Sequence, residues 1–492
     1  LAQELELKLT LDPVAAEALV GSLLPASDLE RAVQRATYYD TAAFALRDNG
    51  LSLRIRDAEG ERVQTIKSDQ GRSAGLFARV ERERPVTGDV PELDGEPELR
   101  AIVGGDELVA TFEVHNERRR WQLEIEGAQI EVALDRGSVV VADRSSPIVE
   151  CELELKAGDA AGLFAFGRRI AAVAPIRLAA ISKAERGYRL LGALPGCFKA
   201  EPIALDSATP VGAAFARIAG SCLRQYLLNT DLLSTSLALP GKDGGQALHQ
   251  ARVALRRLRA AIRIFRPVLA GDPQAGAIDR GLRELAAVLG EARDLDVVLE
   301  RTEPGQLQRR LRLARAAAYR RVSAALEAAS TSALMLDLVE WIARGPWSDM
   351  PELQPLRQRP CAALAADALT HFRRKVRKAG RRLATLDDEK RHGLRKNAKK
   401  LRYAAEFFAA LHADKRGARR HRRFVKALEE VQDRLGALND RATTPQVLAR
   451  LGLAADPQAA TLVSGPGKGH QMEAAGAALR AFSDIERFWD AR

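Results

Sequence analysis

Two glutamates one residue apart occur twice in this chain with the same neighbours, Glu4-Leu5-Glu6-Leu7-Lys8 and Glu152-Leu153-Glu154-Leu155-Lys156. Strict alternation makes each segment a β-strand with leucines on one face and charges on the other. On such a strand the two carboxylates stand about 6–7 Å apart. Like charges at that range repel unless water or a cation intervenes, and carboxylate oxygens suit a hard divalent ion such as Mg²⁺ or Mn²⁺. The two copies are read as different strands of one structure, facing each other across its interior.

The strands that would carry these residues share the pattern. Period-2 segments cover 3–9, 50–56, 62–67, 77–84, 118–126, 129–135 and 148–156, punctuated by turns at Gly60, Gly71, Gly75, Gly88, Gly127 and Gly137. Arg54 and Arg56 share one face, as do Arg118 and Arg120, or Arg79, Glu81 and Glu83. A solvated sheet face would explain any one of these strands. Seven together point to a closed antiparallel β-barrel with an ionic lumen and an apolar exterior covered by helices, expected near 13–23, 97–104 and 159–173. Carboxylates on one wall and Arg/Lys on the others suit a triphosphate bridged to the protein by a divalent cation.

Beyond Leu194-Pro195-Gly196 the pattern changes to a helical, Ala/Leu/Arg-rich one. Helices are expected over 207–229, 246–266, 276–299, 306–329, 332–343, 358–384, 390–411, 416–437 and 472–491. The region is duplicated: His249-Gln-Ala-Arg252-Val-Ala-Leu-Arg256-Arg257-Leu258-Arg259 aligns with His392-Gly-Leu-Arg395-Lys-Asn-Ala-Lys399-Lys400-Leu401-Arg402. Downstream of each comes Leu289-Gly290-Glu291-Ala292-Arg293-Asp294 or Leu435-Gly436-Ala437-Leu438-Asn439-Asp440. This predicts an all-α domain of two pseudo-symmetric bundles. On each first helix the i, i+3, i+7, i+10 series aligns one basic face: His249, Arg252, Arg256, Arg259, and His392, Arg395, Lys399, Arg402. Stacked like charges destabilise a helix unless an anion spans them. Few aromatic residues are available for base stacking, so a phosphate polymer fits better than nucleic acid.

Bulk properties agree. The chain has 492 residues and a net charge of +11, of which the first 195 residues contribute an acidic share and the remainder a basic one. Four cysteines without metal-ligand or disulfide spacing read as reduced residues. No signal-peptide pattern opens the chain and no long uncharged apolar run occurs, so no membrane partner is expected. The expected location is cytoplasmic, with polyphosphate granules as one possible association.

These residues resemble two known families in series. The series Glu4/Glu6/Lys8, Arg54/Arg56, Lys67, Arg79/Glu81/Glu83, Arg118/Arg120, Asp135, Glu152/Glu154/Lys156 and Ser182-Lys183-Ala-Glu-Arg186-Gly187 is similar to the CYTH domain of the triphosphate tunnel metalloenzymes, over residues 1–195. The duplicated His-x-x-Arg helices resemble the CHAD domain, over residues 205–492. The CYTH resemblance implies catalytic Glu4, Glu6, Lys8, Lys67, Glu152 and Glu154. It implies metal ligands Glu4, Glu6, Asp135, Glu152 and Glu154, and a phosphate clamp of Lys8, Arg54, Arg56, Lys67, Arg118, Arg120, Lys183 and Arg186. The CHAD resemblance implies polyphosphate binding by His249, Arg252, Arg256, Arg259, His392, Arg395, Lys399 and Arg402. The activity expected is metal-dependent hydrolysis of inorganic triphosphate. Alternatives are adenylate cyclase, thiamine or nucleoside triphosphatase activity, or non-catalytic polyphosphate binding.

Overall fold

The computed structural model describes residues 3–68, 74–192, 195–238, 244–463 and 467–490. The turn expected at Gly71 and the boundary residue Leu194 lie outside them. The chain forms two compact units, one of Leu1–Phe198 with Thr230–Leu232 and Leu326–Trp341, the other of Lys199–Asn229, Leu233–Ala325 and Ile342–Arg492.

The first unit is built on strands β1 (Gln3–Thr10), β2 (Glu30–Thr41), β3 (Leu51–Ala58), β4 (Glu61–Ser68), β5 (Leu76–Pro85), β6 (Leu108–Ile125), β7 (Ala128–Val141), β8 (Arg144–Ala157) and the short β9 (Arg177–Leu178). They pair antiparallel in the order β5-β4-β3-β2-β6-β7-β8-β1, and a β5–β1 pairing closes the ring; β9 extends it beside β1. Two-residue turns set three of the hairpins. Glu59 and Gly60 both take positive φ, as do Glu126 and Gly127, the conformation that matches strand twist. β2 was not foreseen from the sequence; its register against β6 shifts between Tyr38 and Tyr39, where Thr111 of β6 is the extra residue.

Helices α1 (Pro13–Ser22), α2 (Ala45–Asp48), α3 (Pro97–Val103) and α4 (Ala161–Val173) lie outside the ring. α2 and α3 cover Leu51, Leu53, Ile55 and Ile66 through Leu46, Leu99 and Val103. α5 (Lys183–Leu191) does something else. It packs with Ala36, Tyr38, Phe112, Val114, Val139, Val141 and Ile148, which share strand faces with the inward-pointing charges. α5 therefore fills one end of the barrel, and the lumen is ionic only in the remaining part. It fits because Gly187 meets Phe112 where a Cβ would come within 2.2 Å of the ring. A further correction concerns the two Glu-Leu-Glu-Leu-Lys strands. They are hydrogen-bonded neighbours, with Glu6 opposite Glu154 and Lys8 opposite Glu152, and do not face each other across the lumen.

The helical region comprises α6 (Val211–Ala238), α7 (Gly245–Ile264), α8 (Ala275–Glu300), α9 (Gln306–Glu327), α10 (Ala329–Arg344), α11 (Gln354–Arg357), α12 (Cys361–Gly380), α13 (Asp388–Phe407), α14 (Lys415–Arg450), α15 (Pro457–Val463) and α16 (Lys468–Asp484). α14 continues through Pro445, well beyond the end expected at 437; hydroxyls of Thr443 and Thr444 donate to the carbonyls of Asn439 and Asp440 in the turn before it. Residues 326–341, expected to belong wholly to the helical domain, group with the barrel instead. The duplication is visible in contacts. Arg252 of α7 lies over Gly290 of α8, and Arg395 of α13 lies over Gly436 of α14. The Leu-Gly pairs are thus where each basic helix passes its partner. No single helix among the described residues is long and apolar enough to cross a membrane.

Candidate functional site

The open part of the barrel is a cavity of about 410 Å³. Inward positions of alternating strands line it: Glu4, Glu6 and Lys8 from β1, Arg54 and Arg56 from β3, Lys67 from β4, Arg79, Glu81 and Glu83 from β5, Arg118 and Arg120 from β6, and Glu152, Glu154 and Lys156 from β8. Lys183 reaches in from the first turn of α5, whose Ser182 caps the helix by accepting from the Glu185 amide. Nine Lys/Arg and seven Glu line the cavity. That near balance suits a polyanion brought in with divalent counter-ions better than a bare one.

At its base lies an ion cluster whose members are fixed in place. Glu152 accepts from Lys8 Nζ at 2.6 Å, Lys183 Nζ at 2.6 Å and Arg118 Nη2 at 2.5 Å. Asp135, fully buried, accepts from Arg118 through both carboxylate oxygens, from Lys183 at 2.6 Å and from Asn116 at 2.7 Å. Burial alone would favour the neutral acids, but Arg118 and Lys183 hold Asp135 down to about 2, and Lys183, Lys8 and Arg118 hold Glu152 well below its usual range. In return Lys183 is held well above the ordinary lysine value. Arg186, behind it, is spent on Glu150.

The carboxylates nearer the opening behave oppositely. Burial, then the neighbouring Glu152, raises the pKa of Glu6; burial also raises that of Glu154, with Glu4 and Glu131 adding to it. Glu6 Oε1 is buried without a hydrogen-bond donor, its nearest cation being Lys8 at 3.4 Å. Glu4 pairs with Lys67 at 3.1 Å and Glu154 with Lys156 at 2.7 Å. This crowding fits a hard cation. No three His, Cys, Asp or Glu among the described residues form a ready-made cage. Mg²⁺ does not need one, since it commonly takes one or two carboxylates and completes its shell with substrate oxygens and water. Asp135 and Glu152, also expected as metal ligands, have their oxygens engaged by lysine, arginine and asparagine donors.

Sequence reasoning gave no site role to Tyr38, Glu131 or Ser52, which also line the cavity. Tyr38 stacks on Phe112 with centroids 4.6 Å apart and accepts from Arg54 Nη1 at 3.4 Å; Arg54, Lys183 and Lys67 together outweigh burial and lower its pKa. Glu131, opposite Glu154 in β7, and Ser52 of β3 are the others. Glu131 and Ser52 were visible by parity; Tyr38 lies on β2, which the sequence did not mark as a strand.

In the helical unit, the two basic faces converge. The charges acting on Lys399 of α13 include Arg256 and Arg252 of α7, and those acting on His249 include Lys399. Burial and these cations push Lys399 down to about 6 and, with Arg293, His249 to about 4. Arg395 feels both Arg256 and Arg252 and is partly offset by Asp440. The outer members are anchored elsewhere: Arg259 donates to Asp279 at 2.8 Å, Arg402 pairs with Glu406 at 3.2 Å, and His392 hydrogen-bonds Asn439 at 2.9 Å. Arg252 bonds Asp294 at 3.3 Å. Arg293, inside the Leu-Gly-Glu-Ala-Arg-Asp segment, is the cluster member not expected from the sequence.

Comparison with known proteins follows the same division. The CYTH domain model matches residues 2–188 and the CHAD domain model residues 217–449. An inorganic triphosphatase of Haemophilus influenzae is 32% identical over 195 residues, which are 38% of this chain and 55% of that protein. The chain thus aligns with just over half the length of that relative. Among solved structures, the CHAD domain from the plant Ricinus communis is 28% identical, covering 59% of this chain and 97% of that one with a TM-score of 0.45. A candidate adenylyl cyclase from Hippeastrum described as having a dominant triphosphatase activity is 24% identical, covering 39% and 98% with a TM-score of 0.31. The chain thus contains a CYTH domain over residues 2–188, in the barrel, and a CHAD domain over residues 217–449, in the helical region that follows it.

Proposed function

We propose that the barrel hydrolyses inorganic triphosphate to pyrophosphate and phosphate with Mg²⁺ or Mn²⁺, and that the helical groove binds inorganic polyphosphate. The observation that carries the first reading is the split within one cavity. A cation-clamped base, Glu152–Lys8–Lys183–Arg118, sits beside carboxylates at Glu6 and Glu154 whose pKa values are raised, with Glu4, paired with Lys67, next to them. Those three would hold the metal, which when bound would supply Lewis acidity and a more acidic attacking water.

The chain's own residues do the rest. Glu152 and Asp135 fix the directions of Lys8, Lys183 and Arg118, so these donors meet a phosphoryl group without reorganising, the condition under which electrostatic stabilisation is largest. Arg54, Arg56, Arg120 and Lys67 approach from other strands and would bind the outer phosphoryl oxygens and neutralise charge growing on the leaving pyrophosphate. Tyr38, Ala133 and Ala184 are the apolar contributions to the lining, too little for a nucleobase or a thiazole ring. This favours the inorganic substrate over ATP or thiamine triphosphate.

Phosphate release should be measured on triphosphate, ATP and thiamine triphosphate, with Mg²⁺, Mn²⁺ or chelator. Metal-dependent release fastest on triphosphate is expected. Activity that survives Glu4→Ala plus Glu154→Ala would overturn the carboxylate roles. The groove reading rests on Arg252, Arg256, Arg395 and Lys399 converging from two helices, and fails if the folded protein ignores polyphosphate at moderate salt.

A further inference from the structure

Helix α10 is remote in sequence from the barrel, yet residues 326–341 group with it. One stripe of the helix accounts for this. Ser332, Leu336 and Glu340 recur at four-residue spacing with Asp337 beside them. Ser332 Oγ donates to the Ile176 carbonyl at 2.7 Å, and Arg168 Nη2 of α4 meets Asp337 at 2.7 Å and Glu340 at 2.5 Å. These ion pairs are half-exposed and contribute little energy, but they fix orientation. Between the polar contacts Leu336 is fully buried.

Leu336 packs at Gly167 of α4, and so does Leu7 of β1. A Cβ on Gly167 would stand 3.1 Å from Leu7 Cδ2 and 3.3 Å from Leu336 Cδ2. The missing Cβ leaves the space on which both leucines close. Leu7 lies between Glu6 and Lys8, whose side chains turn the opposite way, into the cavity.

We propose that α10 is a positioning element of the cavity: through Leu336, Gly167 and Leu7 it fixes β1, and with it Glu6 and Lys8, against the other strands. Close-packed interiors pass on a change of one methyl group. Charged groups that must meet a phosphoryl oxygen tolerate little displacement, a shift of about 1 Å being worth on the order of 100-fold in rate. The activity consequences rest on the triphosphatase reading; the mechanical coupling does not.

The test uses the full chain with Leu336→Ala, Gly167→Ala and the double variant. Leu336→Ala should leave circular dichroism unchanged, speed amide exchange in residues 3–10 relative to 51–68, and lower kcat on triphosphate by about tenfold with a smaller change in KM. In the double variant the added methyl occupies part of the void, so both exchange and kcat should move back toward wild type. If β1 exchange in Leu336→Ala is unchanged and only the melting temperature falls, α10 is a structural helix and the proposal is wrong. Accelerated β1 exchange without any triphosphatase activity in wild type would sustain the coupling and discard the substrate reading.

Discussion

Lys8 and Glu152 sit directly opposite each other on adjacent, hydrogen-bonded strands, with Lys8 Nζ 2.6 Å from Glu152 Oε1. The two similar pentapeptides therefore play unequal parts. Glu152 is the anion that gathers Lys8, Lys183 and Arg118, whereas Glu4 is paired with Lys67 and Glu154 with Lys156, and Glu6 Oε1 has no hydrogen-bond donor. Replacing Glu152 with Ala leaves those cations buried without it, which costs about 3–5 kcal/mol in comparable cases. Glu4→Ala removes a carboxylate paired with one lysine and should change stability by less than about 1 kcal/mol. Denaturant melts should separate the two variants, while phosphate release falls in both.

Metal binding should couple to pH through Glu6 and Glu154. Both have raised pKa values, so the stability they contribute is present below the ordinary carboxylate pKa and is lost as pH rises through their raised values. A divalent cation replaces the proton. Mg²⁺ should therefore raise the melting temperature little at a pH near the ordinary carboxylate pKa of about 4 and clearly near pH ~8. The combined Glu6→Gln and Glu154→Gln variant should lose this pH-dependent gain. An equal Mg²⁺ effect at both pH values would remove these carboxylates from the metal site.

Gly187→Ala tests the α5 plug. The new Cβ would overlap the Phe112 ring, so α5 must shift and carry Lys183 with it. Overpacking of this kind costs about 1–3 kcal/mol. The expected result is a lower melting temperature together with weaker triphosphate hydrolysis, and Phe112→Leu should partly restore both by making room.

How much of this could be read from the sequence depended on distance along the chain. Alternation of charge and leucine identified the barrel and the inward residues, because side-chain parity is a local property. Which strands neighbour which is set by closure, so the adjacency of Glu6 and Glu154 was not visible. Depth was not visible either: Asp135 and Glu131 share a face of β7, yet one is sealed under Lys183 and the other lines the cavity. The plug formed by α5 and the docking of α10 depend on contacts at Gly187 and Gly167 that leave no periodic signal. The duplicated basic helices were plain, but their convergence on one cluster is a tertiary fact.

That cluster makes polyanion binding proton-linked. Lys399, pushed down to about 6 by burial and by Arg256, Arg395, Arg252 and Arg402, is largely neutral near pH 8 in the free protein. A bound anion favours its charged form, so affinity for polyphosphate should weaken as pH rises from about 6 to about 8, with proton uptake on binding. Calorimetry in two buffers of different ionisation enthalpy would detect that proton. Lys399→Arg keeps its charge throughout and should flatten the pH dependence while retaining affinity.

The Leu-Gly pairs give a sharper test, because the two copies are not equivalent. A Cβ on Gly290 would come 3.3 Å from Arg252 Nη2, whereas on Gly436 the nearest atom, Arg395 Nη2, lies at 3.9 Å, an ordinary contact. Glycine to alanine inside a helix gains up to about 1 kcal/mol. Gly436→Ala should realise that gain and leave polyphosphate affinity unchanged. Gly290→Ala makes the flexible Arg252 guanidinium give by a few tenths of an ångström, at small cost in stability, and so loosens its 3.3 Å bond to Asp294. Stability should hold or rise while affinity for polyphosphate falls several-fold, by roughly the 1.5–3 kcal/mol of a lost charge-assisted hydrogen bond at most. Equal binding by the two variants would mean that Arg252 does not need this seat, and that Gly290 serves helix packing alone.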